Sequence, residues 1–270
     1  MTPRLFFHVW SIETRSALSY RVDFWLNVIA EFAAQFAIVY FLWQYVFDSR
    51  GVERIAGYTF HGMITYYLTV ILLGKLVRGK GFEGAVSADI YEGGLNRYLV
   101  FPAPYFPIKF AQHLGTMMPA LVQFVLFGTL AVAFVGFPAE AAPTVGSVAM
   151  AMVAVAIANL LHFTLSFPIH AVAFWADNVW SLEIAKRFLT TLLGGAMLPL
   201  EVFPASMQQV LYWLPFRFFF HFPAKVFVGH VSVSEWAIGI GLAIAWGCLF
   251  GWACRAIWRR GRLKYTGVGI

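Results

Sequence analysis

The sequence predicts an all-α protein that crosses a membrane several times. Three observations carry that prediction. Of its 270 residues 60% are hydrophobic and only 12% charged, the mean hydropathy is +0.73, and apolar runs of spanning length recur from residue 23 to residue 257. A soluble domain carries about 25% charged residues, so this chain has half the polar surface it would need in water. Disordered, collagen-like and small disulfide-scaffold classes are excluded by the same figures. Six spans at about 20 residues each would use roughly 120 residues. The remainder is too short and too apolar for a separate soluble catalytic domain, so one domain over 1–270 is expected.

Residues 3–19 begin the chain as an amphipathic segment. Arg4, His8, Ser11 and Arg15 recur on one helical face with Leu5, Phe6, Val9 and Ile12 opposite, a pattern suited to a helix lying in the membrane interface. No small-residue cleavage site follows the first long apolar run, so that run is expected to be retained. The first span, 23–47, carries Asp23, Asn27, Glu31 and Gln35 at strict i+4 spacing. An ionised carboxylate deep in a bilayer costs about 2–3 kcal/mol or more, so this face must meet a neighbouring helix or a water-filled path. Both readings stay open. Asn159, His162 and Ser166 form a second polar row that could partner it. In the path reading Asn27, Glu31, Gln35, Asn159 and His162 line the route, and Glu31 favours a cationic or polar group.

The second span is expected at 58–77. The segment after it places Phe82, Val86 and Ile90 at i, i+4 and i+8, one apolar stripe on a short helix, with Glu83, Asp89 and Glu92 at its sides and Gly93-Gly94 at its end. Such a stripe needs a groove, which could belong to this chain or to a partner. Spans at 105–136, 145–173 and 186–200 follow. The stretch 201–229 is apolar, but Pro204, Pro215 and Pro223 break it, so short or re-entrant helices at the outer end are expected there. The last span, 234–257, contains Gly247-Cys-Leu-Phe-Gly251, a small-residue match that would pack within the bundle or against a second copy. Cys248 and Cys254, about 9 Å apart along a helix, cannot pair.

With the N-terminus inside, fifteen of the 19 basic residues fall in inner segments. Only Arg50, Arg54, Arg217 and Lys225 fall in outer ones. That asymmetry puts both termini in the cytoplasm and assigns the formal charge of +6 to topology and not to nucleic acid. The phosphate-binding G-x-x-x-x-G-K-[ST] loop is absent, as are G-x-S-x-G and H-E-x-x-H. The seven histidines are scattered without metal-ligand spacing.

The order of these segments resembles the ABC-2 type permeases, the membrane halves of ATP-driven exporters. Gly94-Leu95, Leu99, Pro102 and Pro104 are similar to the stretch that follows that family's coupling helix, and Leu214-Pro215-Phe216 to the segment after its re-entrant helices. The likeness covers the whole chain, although each motif alone is soft. It implies six transmembrane helices with an N-terminal interfacial helix, a cytoplasmic coupling helix and short outer helices before the last span. It also implies a multi-pass protein of the prokaryotic plasma membrane, paired with a second permease, identical or related. A separate cytoplasmic ATPase would bind ATP and Mg²⁺ and dock on Phe82, Glu83, Val86, Asp89 and Ile90, with no cofactor in this chain. Membrane lipid is the remaining partner, and the transported substrate is left unspecified. Two other classes compete: an integral membrane enzyme acting on lipids or peptides, and a secondary transporter that works without an ATPase.

Overall fold

The computed structural model describes residues 1–19, 22–79, 84–136 and 143–267, the side chains of 22–24 and 134–135 excepted. Every regular element among them is helical. Helix α1 (Pro3–Leu18) begins at Thr2, whose hydroxyl accepts from the Leu5 amide, with Pro3 preset for the first turn. It lies against α6 (Tyr105–Thr116), close enough that a side chain on Gly115 would strike Glu13. Its Phe7 and Ile12 face outward.

Among the described residues five helical stretches are long and apolar enough to cross a membrane: Trp25–Arg50, Phe60–Arg78, Tyr105–Ala133, Val145–Phe174 and Val233–Gly261. They correspond to α2 (Val22–Arg50), α3 (Phe60–Arg78), α6 with α7 (Met118–Val135), α8 (Val145–Ala171) and α12 (Val233–Gly261). The span expected at 105–136 breaks at Met117 because Pro119 cannot donate to the carbonyl four residues back. Helices α8 and α12 start from similar capping boxes, Thr144 with Ser147 and Ser232 with Glu235.

The expected span at 186–200 is not a long apolar helix. In its place α9 runs Trp180–Leu193, starting six residues earlier and carrying Glu183, Lys186 and Arg187 in only 14 residues. It stops at Gly194-Gly195. Gly195 adopts φ +85°, and a side chain there would collide with the Tyr66 hydroxyl and with His221. Beyond the turn the chain forms α10 (Ala205–Trp213) and α11 (His221–Phe227) with short 3₁₀ turns at Leu200–Val202 and Pro215–Phe218. This is the broken architecture expected for 201–229.

Helix α3 is the central post, buried along most of its length, while α2 is almost wholly exposed along its apolar run. Helices α8 and α12 run parallel. The Trp236 indole donates to the Met150 carbonyl near their starts, and Phe174 meets Trp258 near their ends. The starts of α3 and α8 both adjoin α11, through Lys225 over the Tyr58 ring and through the Ser147 hydroxyl donating to the Phe227 carbonyl. Among the described residues two large apolar clusters fill the interior, beside a small third of Val28, Leu72 and Phe127. One lies around α3, α8 and Phe218–Phe220. The other joins α4 (Ala85–Tyr91), α5 (Leu95–Leu99), α6 and the ends of α8 and α12.

The small-residue match in α12 is not the close contact. A side chain on Gly247 would reach only Leu161 at 3.9 Å, and on Gly251 nothing within 4 Å. The tight positions are Gly239, under Phe222, and Gly261, whose missing side chain makes room for the Phe174 ring. Replacing Gly261 by leucine should therefore cost about 1–3 kcal/mol of stability by overpacking, seen as a lower melting temperature in detergent. The same change at Gly251 should leave the melting temperature within error of wild type.

Candidate functional site

In the polar row on α2, Glu31 and Gln35 face the gap between α2 and α3. Asn27, Glu31 and Gln35 are exposed, and Gln35 donates to Glu31 Oε1 at 3.2 Å. The Asp23 side chain lies outside the described residues. Across from Glu31 stands Lys75 of α3, with 3.8 Å between Nζ and Oε2. Lys75 also reaches Gln123 Oε1 of α7 at 3.5 Å. One turn further along α3, Arg78 donates to the Thr191 hydroxyl of α9 at 2.7 Å and stacks 4.6 Å from the Phe220 ring centroid.

These side chains line a cavity of about 800 Å³ between α1, α2, α3, the α6–α7 junction and α9. Glu31 and Gln35 form one wall, Lys75 and Arg78 the opposite one, and Arg187 of α9 and Glu13 of α1 stand at the same end as Arg78. Val70 and Ile71 lie about two turns back along α3 from Arg78, and Phe220 lies beneath Arg78. Asn27 is not part of the lining.

The second polar row does not reach α2. Asn159 is buried against the end of α3 and directs its side-chain nitrogen at the carbonyls of Leu76 (3.2 Å) and Val77 (3.0 Å), at His113 Nε2 (2.9 Å) and at Met117 Sδ (3.0 Å). Helix α3 ends at Gly79 (φ +68°), where a side chain would collide with His113. The last carbonyls of a helix lack internal partners, and Asn159 supplies donors to two of them. His162 is buried edge-on against Phe219 at 5.6 Å. Ser166 accepts from Lys186 Nζ at 2.9 Å, within a buried group in which Glu183 bridges Lys186 (2.7 Å) and His170 (3.2 Å). Asn159 and His162 thus lock helices together, outside the cavity, and are not partners of Glu31. The second row, read from the sequence as a partner for the first, instead meets the end of α3, Phe219 and Lys186.

Phe82 and Glu83 lie outside the described residues. The rest of that stripe points into this same chain. Val86 and Ile90 are fully buried among Leu95, Ile108, Phe167 and Phe174, so the groove that the stripe needs is internal. Asp89 is buried too: its Oδ2 meets Lys109 Nζ and the Tyr105 hydroxyl, both at 2.6 Å, and its Oδ1 meets Arg97 at 3.2 Å. In place of presenting a docking face, Val86, Asp89 and Ile90 anchor α4 to α6. A buried carboxylate is tolerable only with such partners.

At the opposite end of α3 a second polar group ties the short helices after α9 together. The Tyr66 hydroxyl donates to the Gly195 carbonyl at 2.7 Å and lies 3.2 Å from His221 Nδ1. His221 Nε2 stands 3.6 Å from Glu201 Oε1, to which Lys225 Nζ comes within 2.8 Å. Burial drives His221 down to about 4. Burial also pushes the Glu201 carboxyl up, but His221 and Lys225 outweigh it and hold Glu201 below its ordinary value. At neutral pH His221 is uncharged, and the Lys225 ammonium is the ionic partner.

The family model for ABC-2 family transporter proteins matches residues 33–269. The chain belongs to that family. No curated protein matches it significantly. As an ABC-2 protein it is a multi-pass membrane permease, of a kind that is generally non-catalytic and partnered by ATP-binding-cassette ATPases. Among its described residues no group of three or more His, Cys, Asp or Glu is placed to hold a metal. Sequence reasoning counted Lys75, Arg78 and Arg187 only as topological charges. Their signal was present: Lys75 and Arg78 are three apart on one helical face, and Arg187 interrupts the apolar run expected as a span.

Two measurements follow from these geometries. Asn159→Leu in the ABC-2 chain strands two buried carbonyls and should cost about 1–3 kcal/mol, read as a lower melting temperature, whereas Ser166→Ala removes a single neutral acceptor and should cost less. The polar group around His221 sets a pH dependence. Between pH 6.5 and about 4 an unfolded chain protonates His221 while the folded chain does not, so stability falls as pH drops through that window. Glu201 adds loss of the same sign below its ordinary 4.5. His221→Gln should flatten the melting temperature between pH 6.5 and 4.5.

Proposed function

We propose that residues 1–270 form one permease domain of an ATP-driven exporter in a prokaryotic plasma membrane. The observation that carries this reading is the polar cavity between α2 and α3, because charged walls at membrane depth are sustained only where water or a transported group reaches them. Export is the direction implied by family likeness alone.

Six crossings with both termini in the cytoplasm agree with the helix directions. Since α8 and α12 run parallel, the chain between them must return across the bilayer, and α9 with its glycine turn is the segment available. The 15-to-4 distribution of basic residues supports a cavity mouth, with Lys75, Arg78 and Arg187, on the cytoplasmic side. Helix α1 would lie in that interface, with Phe7 and Ile12 toward lipid. Asn27, Glu31 and Gln35 on the otherwise lipid-exposed α2 favour a second permease, identical or related, completing the path on that side.

The ATPase, which would bind ATP and Mg²⁺, cannot dock on Val86 and Ile90 while they are buried. The surface beside them is open: Leu99 and Phe101 are 54% exposed and Val100 83%, with Arg97 alongside. This turn, between the buried α4 anchor and α6, is the contact we assign to the ATPase. Purification of the tagged chain in mild detergent should bring down an ATP-binding-cassette ATPase. Val100→Asp should abolish its recovery while leaving the permease monodisperse. Ile90→Asp, which buries a charge, should fail to fold. Full ATPase recovery with Val100→Asp would exclude this docking turn, and absence of any ATPase with the wild-type chain would exclude the exporter reading.

A further inference from the structure

Arg217 is a buried cation with no carboxylate within ion-pair reach among the described residues. It sits in the 3₁₀ turn Pro215–Phe218, 8% exposed, and its Nε has no hydrogen-bond partner there. Its guanidinium carbon lies 3.8 Å from the centroid of the Tyr212 ring, 4.7 Å from that of Phe218 and 5.7 Å from that of Phe222. Rings cover the faces of a guanidinium, whereas its N–H donors lie in its plane. Burial pulls Arg217 below its ordinary value, and Tyr212 offsets only part of that pull. Glu201 lines the same pocket but is taken up by Lys225 at 2.8 Å and His221 at 3.6 Å. Glu201 and Lys225 cancel, His221 is uncharged at neutral pH, and the Arg217 charge is left over. A buried charge without a counterion is costly.

The pocket beside it holds about 400 Å³, within the range of about 300–1,000 Å³ typical of small-molecule sites. Helix α10 turns one face to it, Ala205, Gln208, Gln209 and Tyr212 at i, i+3, i+4 and i+7. The Gln208 amide nitrogen donates to the carbonyls of Glu201 and Phe203, which fixes α10 against the turn before it. The first turn of α10, where amides lack partners within the helix, adjoins the pocket at Ala205, and the helix dipole there favours negative charge. Gln209 and Tyr212 are exposed, so the pocket is reached from the surface. We propose that this pocket is an oxyanion site, in which a carboxylate or phosphate group pairs with Arg217 beside the first turn of α10. The edge of a guanidinium offers two parallel donors to either group. The site shares no lining residue with the cavity between α2 and α3 and does not depend on that cavity being a transport path. Its ligand is a free anion or the head group of an acidic lipid.

Thermal melting of the purified full-length chain in detergent tests it, at neutral pH and constant ionic strength, with inorganic phosphate or acetate replacing chloride. A ligand that binds the folded chain should raise the melting temperature saturably, by about 3 °C or more. Native mass spectrometry with dioleoylphosphatidylglycerol against dioleoylphosphatidylcholine is the second arm. A response to the free anions identifies a soluble source. A preference of about tenfold for phosphatidylglycerol, as one or two charge-assisted hydrogen bonds would give, identifies a lipid head group when the free anions have no effect. Arg217→Met should erase whichever response the wild type shows. Gln209→Glu brings a carboxylate to the pocket from an exposed position and should erase it as well, which decides the matter if Arg217→Met does not fold. Arg259→Gln with Arg260→Gln, remote from the pocket, should leave the response intact. No response in either arm would overturn the proposal, as would one that survives Gln209→Glu or is lost with the remote pair.

Discussion

Helix α3 ends inside the protein, and the carbonyls at its end must find donors there because neither lipid nor neighbouring backbone offers any. Asn159 answers this requirement from α8, aiming one amide nitrogen at Leu76 and Val77. Much of the inner architecture depends on that junction. It fixes the depth at which α3 stops, and therefore the level at which Lys75 and Arg78 project. It also draws His113 and Met117 of the α6–α7 break to the same point, so three helices share one polar knot. The break at Pro119 thereby gains a role, since the chain between α6 and α7 bends around the place where α3 ends.

The charged groups obey one rule with different outcomes. Asp89 and Glu183 are buried and each is met by a lysine at close range, so they behave as fasteners. Glu31 is 42% exposed by side chain and its lysine stands at 3.8 Å, a looser pair that leaves both groups accessible from the cavity. Burial and pairing distance, more than residue type, separate these fasteners from the carboxylate that lines the cavity.

The all-helical class, most span positions and the broken outer segment were legible in the sequence because each depends on apolar run length and on proline, both local properties. The fifth run misled because hydropathy averaged over 186–200 hid the glycine pair that ends α9 and the charges that begin it. The stripe of Val86 and Ile90 was visible, but its groove was not: a seven-residue helix buries its face against whatever lies near, and only the fold brings Phe167 and Phe174 there. Asn159 and Glu31 looked alike as polar residues within spans. One faces a helix end and the other a cavity, a distinction set by helix rotation, which periodicity leaves undetermined.

The glycine pair after α9 has a mechanical consequence. Arg78 holds Thr191 on one side of it, and Tyr66 holds the Gly195 carbonyl on the other. Phe220 and Ala196 belong to the cavity wall, while Gly195 and His221 touch the outer polar group. Helix α9 is therefore tied to α3 at two heights, by Arg78 in its last turn and by Tyr66 just past its end. The cavity wall and the polar group around His221 share this one short turn, so a displacement of Gly194-Gly195 would be felt in both.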